Sequence, residues 1–176
     1  MLKSLRESKI GLQNSGERGF TLTEATIAIV IAATLATVAL VKTTESSRKI
    51  RAAAAAKKLV SDLQFAQETA MNLGREVQVR FDLANNRYRL TWSDGTPLRT
   101  PAGNRDYIVT LGSGNYRSVT LSRTDLPGAI IRFRPDGRPY HNNGVLTQSR
   151  VVAVINNKYE IVIQPRTGNI ELRTIE

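Results

Sequence analysis

The chain has 176 residues, no cysteine, a single histidine and a formal charge of +10. Without cysteine there is neither a disulfide to staple an exported domain nor a thiol nucleophile, so an apolar core must hold the fold. Arginine dominates the basic residues, 18 to 7 lysines, and so basic a chain favours acidic partners: anionic lipid, nucleic acid or an acidic protein face.

Residues 1–19 carry Lys3, Arg6, Lys9 and Arg18 against Glu7 and Glu17, a basic leader ending in Gly19. Residues 20–41 follow with one charge, Glu24, in 22 residues. Roughly 20 apolar residues in a helix cross a hydrocarbon layer of about 30 Å, so this segment is predicted to span a membrane. A charge at mid-membrane costs on the order of 2.5–3.5 kcal/mol, which marks Glu24 as a functional residue needing a partner. The positive leader is expected to stay cytoplasmic and the remainder to lie outside the cytoplasm.

Between Phe20 and Leu73 there is neither Gly nor Pro, and the composition predicts one nearly continuous helix. From Lys42 onward its character is amphipathic, with Leu59, Leu63, Ala66, Ala70 and Leu73 at three- and four-residue spacing. The run Ala52–Ala56 is either a slim section for close packing or simply strong helix formers. Gly74 stands where a helix-ending C′ residue belongs, so 42–74 is read as the helix continuation.

After Gly74 the period becomes two. Residues 77–84 and 87–92 flank Asn85-Asn86, predicted as a two-residue hairpin turn because Asn tolerates positive φ. That register places Val79, Phe81 and Leu83 on one face with Tyr88, Leu90 and Trp92, and sets Asp82 opposite Arg89. A second hairpin turns at Asn156-Asn157, aligning Val152 and Val154 with Tyr159, Ile161 and Ile163. A third turns at Thr167-Gly168, aligning Ile163 and Pro165 with Ile170 and Leu172. Tyr107–Leu111, Tyr116–Leu121 and Ala129–Arg134 read as shorter strands, and 93–105 and 135–149 as loops. The sum over 75–176 is an antiparallel β domain, and with the helix an α+β architecture.

Gly19-Phe-Thr-Leu-Thr-Glu24 before an unbroken apolar helix resembles the class III signal of type IV prepilins and type II secretion pseudopilins. The resemblance implies that a prepilin peptidase cuts between Gly19 and Phe20 and methylates the Phe20 amine, and that Glu24 pairs with the terminal amine of a neighbouring subunit. The passage AKKLVSDLQFAQETAMNLGREVQVRF (56–81) and the ending near Pro165-Arg-Thr-Gly-Asn-Ile are similar to the GspH/FimT group of minor pilins and pseudopilins. Membership would imply an inner-membrane protein with a periplasmic domain, near the tip of a pseudopilus, assembling with other pilins or pseudopilins and touching secreted cargo.

Nothing points to an enzyme or a cofactor. His141 is a lone histidine in a predicted loop, and no His/Cys/carboxylate cluster has zinc spacing. The aspartates are scattered, and a calcium site built from loop carbonyls leaves no sequence trace. Gly112-Ser-Gly114 lacks the GK[ST] ending of a phosphate loop and reads as a turn. The alternative function is nucleic-acid binding by an Arg-rich face, with Arg87, Arg89, Arg132, Arg134 and Arg138 as candidates, as resemblance to FimT-type pilins of DNA uptake would imply. Those pilins carry a Gly-Arg-x-Arg motif near the C-terminus, which neither Gly137-Arg138-Pro139-Tyr140 nor Gly74-Arg75-Glu76-Val77 completes.

Overall fold

The computed structural model describes residues 21–103, 105–141 and 144–175, with the side chains of 37–44 and 145 outside that description. Gly19 and Phe20 therefore lie outside the described residues. The first element, α1 (Leu22–Leu73), is a single 52-residue helix, as the uninterrupted sequence predicts. The chain divides into a unit up to Lys42 and a unit from Thr43 to Glu176.

In the first unit Thr21 caps the helix: its Oγ1 accepts the Glu24 N–H at 3.2 Å. Thr26 and Thr34 donate their hydroxyls back to the carbonyls of Thr23 and Ile31, both at 2.8 Å, which hides these polar groups within the helix. Leu22, Ile27, Ile29, Val30, Ile31 and Leu35 are all exposed. No helix among the described residues is long and apolar enough to cross a membrane. The predicted span also includes Phe20 and the side chains of 37–41, which are not among them.

The second unit packs the rest of α1 against two antiparallel sheets. One has six strands in the order β3-β2-β1-β5-β6-β7 and the other four, β10-β9-β8-β4. Their ranges are β1 Val77–Asp82, β2 Arg87–Trp92, β3 Ile108–Thr110, β4 Leu121–Arg123, β5 Ile130–Phe133, β6 Pro139–His141, β7 Gly144–Val145, β8 Arg150–Ile155, β9 Tyr159–Ile163 and β10 Ile170–Thr174. Leu59, Leu63, Ala66 and Ala70 are fully buried in a core shared with both sheets, each leucine worth about 1.5–3 kcal/mol relative to exposure. Ala52, Ala55 and Ala56 belong to the same core, so the slim section serves this domain's own packing. At the helix end Gly74 has φ 61° and the Arg75 N–H reaches back to the Ala70 carbonyl at 3.2 Å, a Schellman cap at the predicted residue.

The three hairpins fold at the predicted tips, but each turn is longer than expected. In the first, Asp82 faces Arg87, Phe81 faces Tyr88 and Arg80 faces Arg89, so the loop is residues 83–86 and the register is displaced by two. An even displacement keeps every side chain on its face, and the predicted inner set is buried apart from Leu83 and half-buried Trp92. The third hairpin pairs Ile163 with Ile170, again displaced by two. The second pairs Ile155 with Tyr159 and Ala153 with Ile161, a displacement of one that puts Ala153 and Ile155, not Val152 and Val154, beside Tyr159 and Ile161. An irregularity between Val151 and Ala153 cancels the slip, and Arg150 meets Ile163 where a two-residue turn would have put it.

Two further expectations fail for local reasons. Residues 116–120 are not a strand, because side-chain amides capture their backbone. Asn86 donates to the Val119 carbonyl at 2.8 Å and accepts the Leu121 N–H at 2.7 Å, while Asn156 accepts the Thr120 N–H at 2.6 Å and donates to the Ser118 carbonyl at 3.2 Å. Both asparagines have φ 50°, so one residue type serves the turn and the clamp. The stretch 135–149 is not all loop either: β6 and β7 lie within it, and His141 is a half-buried strand residue.

Candidate functional sites: the helix start and an arginine-faced sheet

Glu24 sits in the first turn of α1, exposed, three residues after the capping Thr21. A Thr-x-x-Glu start is a capping-box pattern, and a carboxylate there also meets the positive end of the helix dipole. The Glu24 backbone N–H, not its carboxylate, makes the cap bond to Thr21.

The predicted arginines are distributed over the outer face of the six-stranded sheet and its margins. Arg87 and Arg89 alternate with buried Tyr88 and Leu90 on β2, and both are exposed. Arg87 Nε bonds Asp82 at 2.9 Å across the strand pair. Asn85 donates its side-chain and backbone N–H groups to the same carboxylate, and these bonds, with Arg87, hold Asp82 below the usual carboxylate range. The sequence reading missed Arg80, which faces Arg89 where a two-residue turn would have put Asp82. The turn length hid it.

Arg132 on β5 and Arg134 just beyond it flank Tyr140, their guanidiniums 6.0 and 4.9 Å from the ring centre. Arg132 Nε also donates to Gln78 Oε1 at 3.3 Å, and buried Gln78 donates to buried Thr91 at 2.8 Å. Burial, with a hydrogen bond to the Glu76 carboxylate, pushes the Tyr140 phenol up to about 12. Arg138 stands apart in place: it pairs with Asp136 at 3.7 Å and lines a recess with Leu146, Thr147, Pro165 and Arg166.

A second polar centre was not foreseen. Asp62, 1 % exposed, accepts the hydroxyls of Tyr88 at 2.6 Å and Tyr107 at 2.7 Å, and pairs with the Lys58 ammonium one helical turn before it. Burial and the neighbouring Asp62 charge raise Tyr88 well above its ordinary value. Burial opposes the Lys58 charge, but hydrogen bonds to Asp62 and Tyr107 outweigh it and raise that lysine too. Every oxygen of the carboxylate has a partner, so the cluster fastens the helix to β2 and to the segment before β3. The available signal was Asp62 itself: it lies on the apolar stripe, three residues after Leu59 and four before Ala66. Among the described residues no group of three or more His, Cys, Asp or Glu could hold a metal ion.

The family model for the type II transport protein GspH matches residues 55–167, and that for the prokaryotic N-terminal methylation motif matches residues 14–40. Among solved structures the chain is similar to a crystal structure of the minor pseudopilin EpsH from the type II secretion system of Vibrio cholerae. That likeness has a TM-score of 0.50 and 14 % identity over 73 % of this chain and 96 % of that one. A second structure of the same pseudopilin aligns with a TM-score of 0.48 and 16 % identity over 70 % of this chain and 97 % of that one. No curated protein matches. At 14 % identity the first likeness speaks to the fold, a helix on antiparallel sheets; the family follows from the match over more than half of the sequence, and the chain belongs to the GspH family of type II transport proteins.

Proposed function

We propose that this protein is a minor pseudopilin, a subunit of the periplasmic pseudopilus of a type II secretion machine. The observation that carries the reading is the order of two family matches on one chain, a methylation motif at 14–40 and then a GspH domain at 55–167. In this account residues 20–41 anchor the precursor in the inner membrane, with the leader cytoplasmic and the domain periplasmic. A prepilin peptidase cuts between Gly19 and Phe20 and methylates the new amine. Glu24 then pairs with the Phe20 amine of a neighbouring pilin-type subunit as the helix leaves the membrane, which removes the cost of a lone charge in an apolar layer. The domain sits at or near the filament tip, where it helps to prime assembly and meets transported protein.

Mass spectrometry of the purified protein is expected to give a chain that starts at N-methylated Phe20. Glu24→Ala is expected to leave that processing intact and to abolish co-purification with the other pseudopilins. Normal incorporation of Glu24→Ala would overturn the assembly role of Glu24, and an intact leader would overturn the processing.

The second reading, DNA binding for pilus-mediated uptake, is favoured by the exposed arginines of β1 and β2. Counting against it are the unfinished Gly-Arg-x-Arg motif and the engagement of Arg132 and Arg138 within the domain.

A further inference from the structure

Most basic side chains of the outer sheet face and its margins are answered locally: Arg87 by Asp82, Arg75 by Asp94 at 2.6 Å, Arg132 by Gln78, Arg138 by Asp136. Arg80 and Arg89 are not. They are direct cross-strand partners on β1 and β2, which puts their Cβ atoms about 5 Å apart. Both are exposed, and among the described residues neither has a hydrogen-bond or ion-pair partner. Like charges directly opposite on a sheet oppose folding, so this pair is held at a cost that an incoming anion would remove.

The pair opens onto a recess of about 400 Å³. Its walls are Asp82 and Arg87, which neutralise each other, buried Phe81 and Tyr88, Leu83 and Ala84 of the first hairpin loop, and Gly128-Ala129 before β5. Ala129 has φ 54°, a left-handed conformation uncommon for a residue with a Cβ, and it follows Gly128 at φ 65°. A strained backbone, two unanswered guanidiniums and an apolar rim thus meet at one place.

We propose that this recess docks an acidic segment of a partner protein, with two neighbouring carboxylates on Arg80 and Arg89 and apolar flanking side chains against Leu83, Ala84 and Ala129. Guanidinium forks match carboxylates bidentately, and the rim supplies apolar area that a sugar–phosphate backbone would not use. The face is poorly built for nucleic acid. Phe81 and Tyr88 in the recess wall are buried, and neighbouring Tyr140 is buried with Arg132 and Arg134 against its ring, so no stacking platform is offered. Asp82 and Glu76 also interrupt any continuous cationic track. The inference rests on the pseudopilin reading only in taking the partner to be a protein.

The test uses the full chain in detergent and fluorescence polarisation. The probes are a short labelled peptide with adjacent glutamates between leucines, the same peptide with glutamines, and labelled single- and double-stranded oligonucleotides. The glutamate peptide is expected to bind and the glutamine peptide not to. Arg80→Gln/Arg89→Gln should weaken glutamate-peptide binding at least about tenfold, as loss of a paired charge does. Arg134→Gln/Arg138→Gln, which removes the same charge nearby, should change it by less than about threefold, the signature of a local site rather than a general field. The unfolding midpoint of Arg80→Gln/Arg89→Gln should equal or exceed that of the parent, which separates loss of the site from loss of the fold. Equal losses in the two double variants, or no glutamate-peptide binding, would overturn the proposal. Tighter oligonucleotide binding that vanishes with Arg80→Gln/Arg89→Gln would assign the recess to nucleic acid instead. Peptide binding requires neither cleavage nor filament assembly, so its failure and failure of the pseudopilin reading are told apart.

Discussion

Asp62→Ala is the most informative perturbation of the domain. The carboxylate is 1 % exposed and holds three donors, Tyr88, Tyr107 and Lys58. Removing one side of a buried charged pair costs about 3–5 kcal/mol. Lys58 keeps 39 % of its side-chain surface in solvent and can turn outward, which places the expectation near the lower end, about 3 kcal/mol. For a unit of this size that lowers the melting temperature by roughly 10 °C. The assay is urea and thermal unfolding of the full chain in detergent, followed by the fluorescence of Trp92, the sole tryptophan and a neighbour of the core. A double-mutant cycle sharpens it. Tyr88→Phe alone removes a charge-assisted bond worth about 1.5–3 kcal/mol, whereas in the Asp62→Ala background it removes an orphaned hydroxyl and is neutral or stabilising. Additive losses, or a cost of Asp62→Ala below about 1 kcal/mol, would refute the view that this cluster fastens helix to sheet.

Gly168→Ala is expected to destabilise strongly. Its φ is 67°, and an added Cβ would run into Gln67 and lie 2.7 Å from the Gly137 carbonyl, whereas Gly95→Ala at φ 88° meets open space and costs only the backbone strain, about 1 kcal/mol. Comparing urea midpoints of the two variants separates crowding from strain. At the Asn86 clamp, Asn86→Gly keeps the left-handed turn but loses two bonds to the 118–121 segment, and Asn86→Ala loses both; Asn86→Ala is therefore the more damaging, by about 1 kcal/mol, in the same assay. Raised folded-state values of Tyr88, Tyr140 and Lys58 mean that their stabilisation is complete below about pH 10 and is lost as pH rises through the folded values, about 12 for Tyr140. Tyr140→Phe should flatten part of that alkaline decline in the urea midpoint, and a decline of unchanged steepness would show that Tyr140 contributes none of it.

The helix, its Gly74 cap and the inner faces of β1 and β2 were legible because each rests on a local period or a single special residue. Turn length was not, since Asn85-Asn86 and Asn156-Asn157 mark a tip without fixing how many residues the loop holds. Two of the three errors displaced the strands by two and left the faces intact, while the third was absorbed by the irregularity at Val151–Ala153. The same error concealed the Arg80–Arg89 pair. Asp62 stayed hidden for another reason: its partners Tyr88 and Tyr107 lie 26 and 45 residues away, beyond any helix or strand period. Residues 118–120 escaped because asparagine amides, not a strand ladder, hold their backbone.

The most direct measurement of the central claim is the protein content of the culture medium and periplasm in cells lacking this chain, restored with the parent protein or with Glu24→Ala. Exported proteins are expected to accumulate in the periplasm without the chain, return to the medium with the parent and stay in the periplasm with Glu24→Ala. An unchanged medium in all these strains, accompanied by a loss of DNA uptake, would contradict the claim and assign the protein to the second reading.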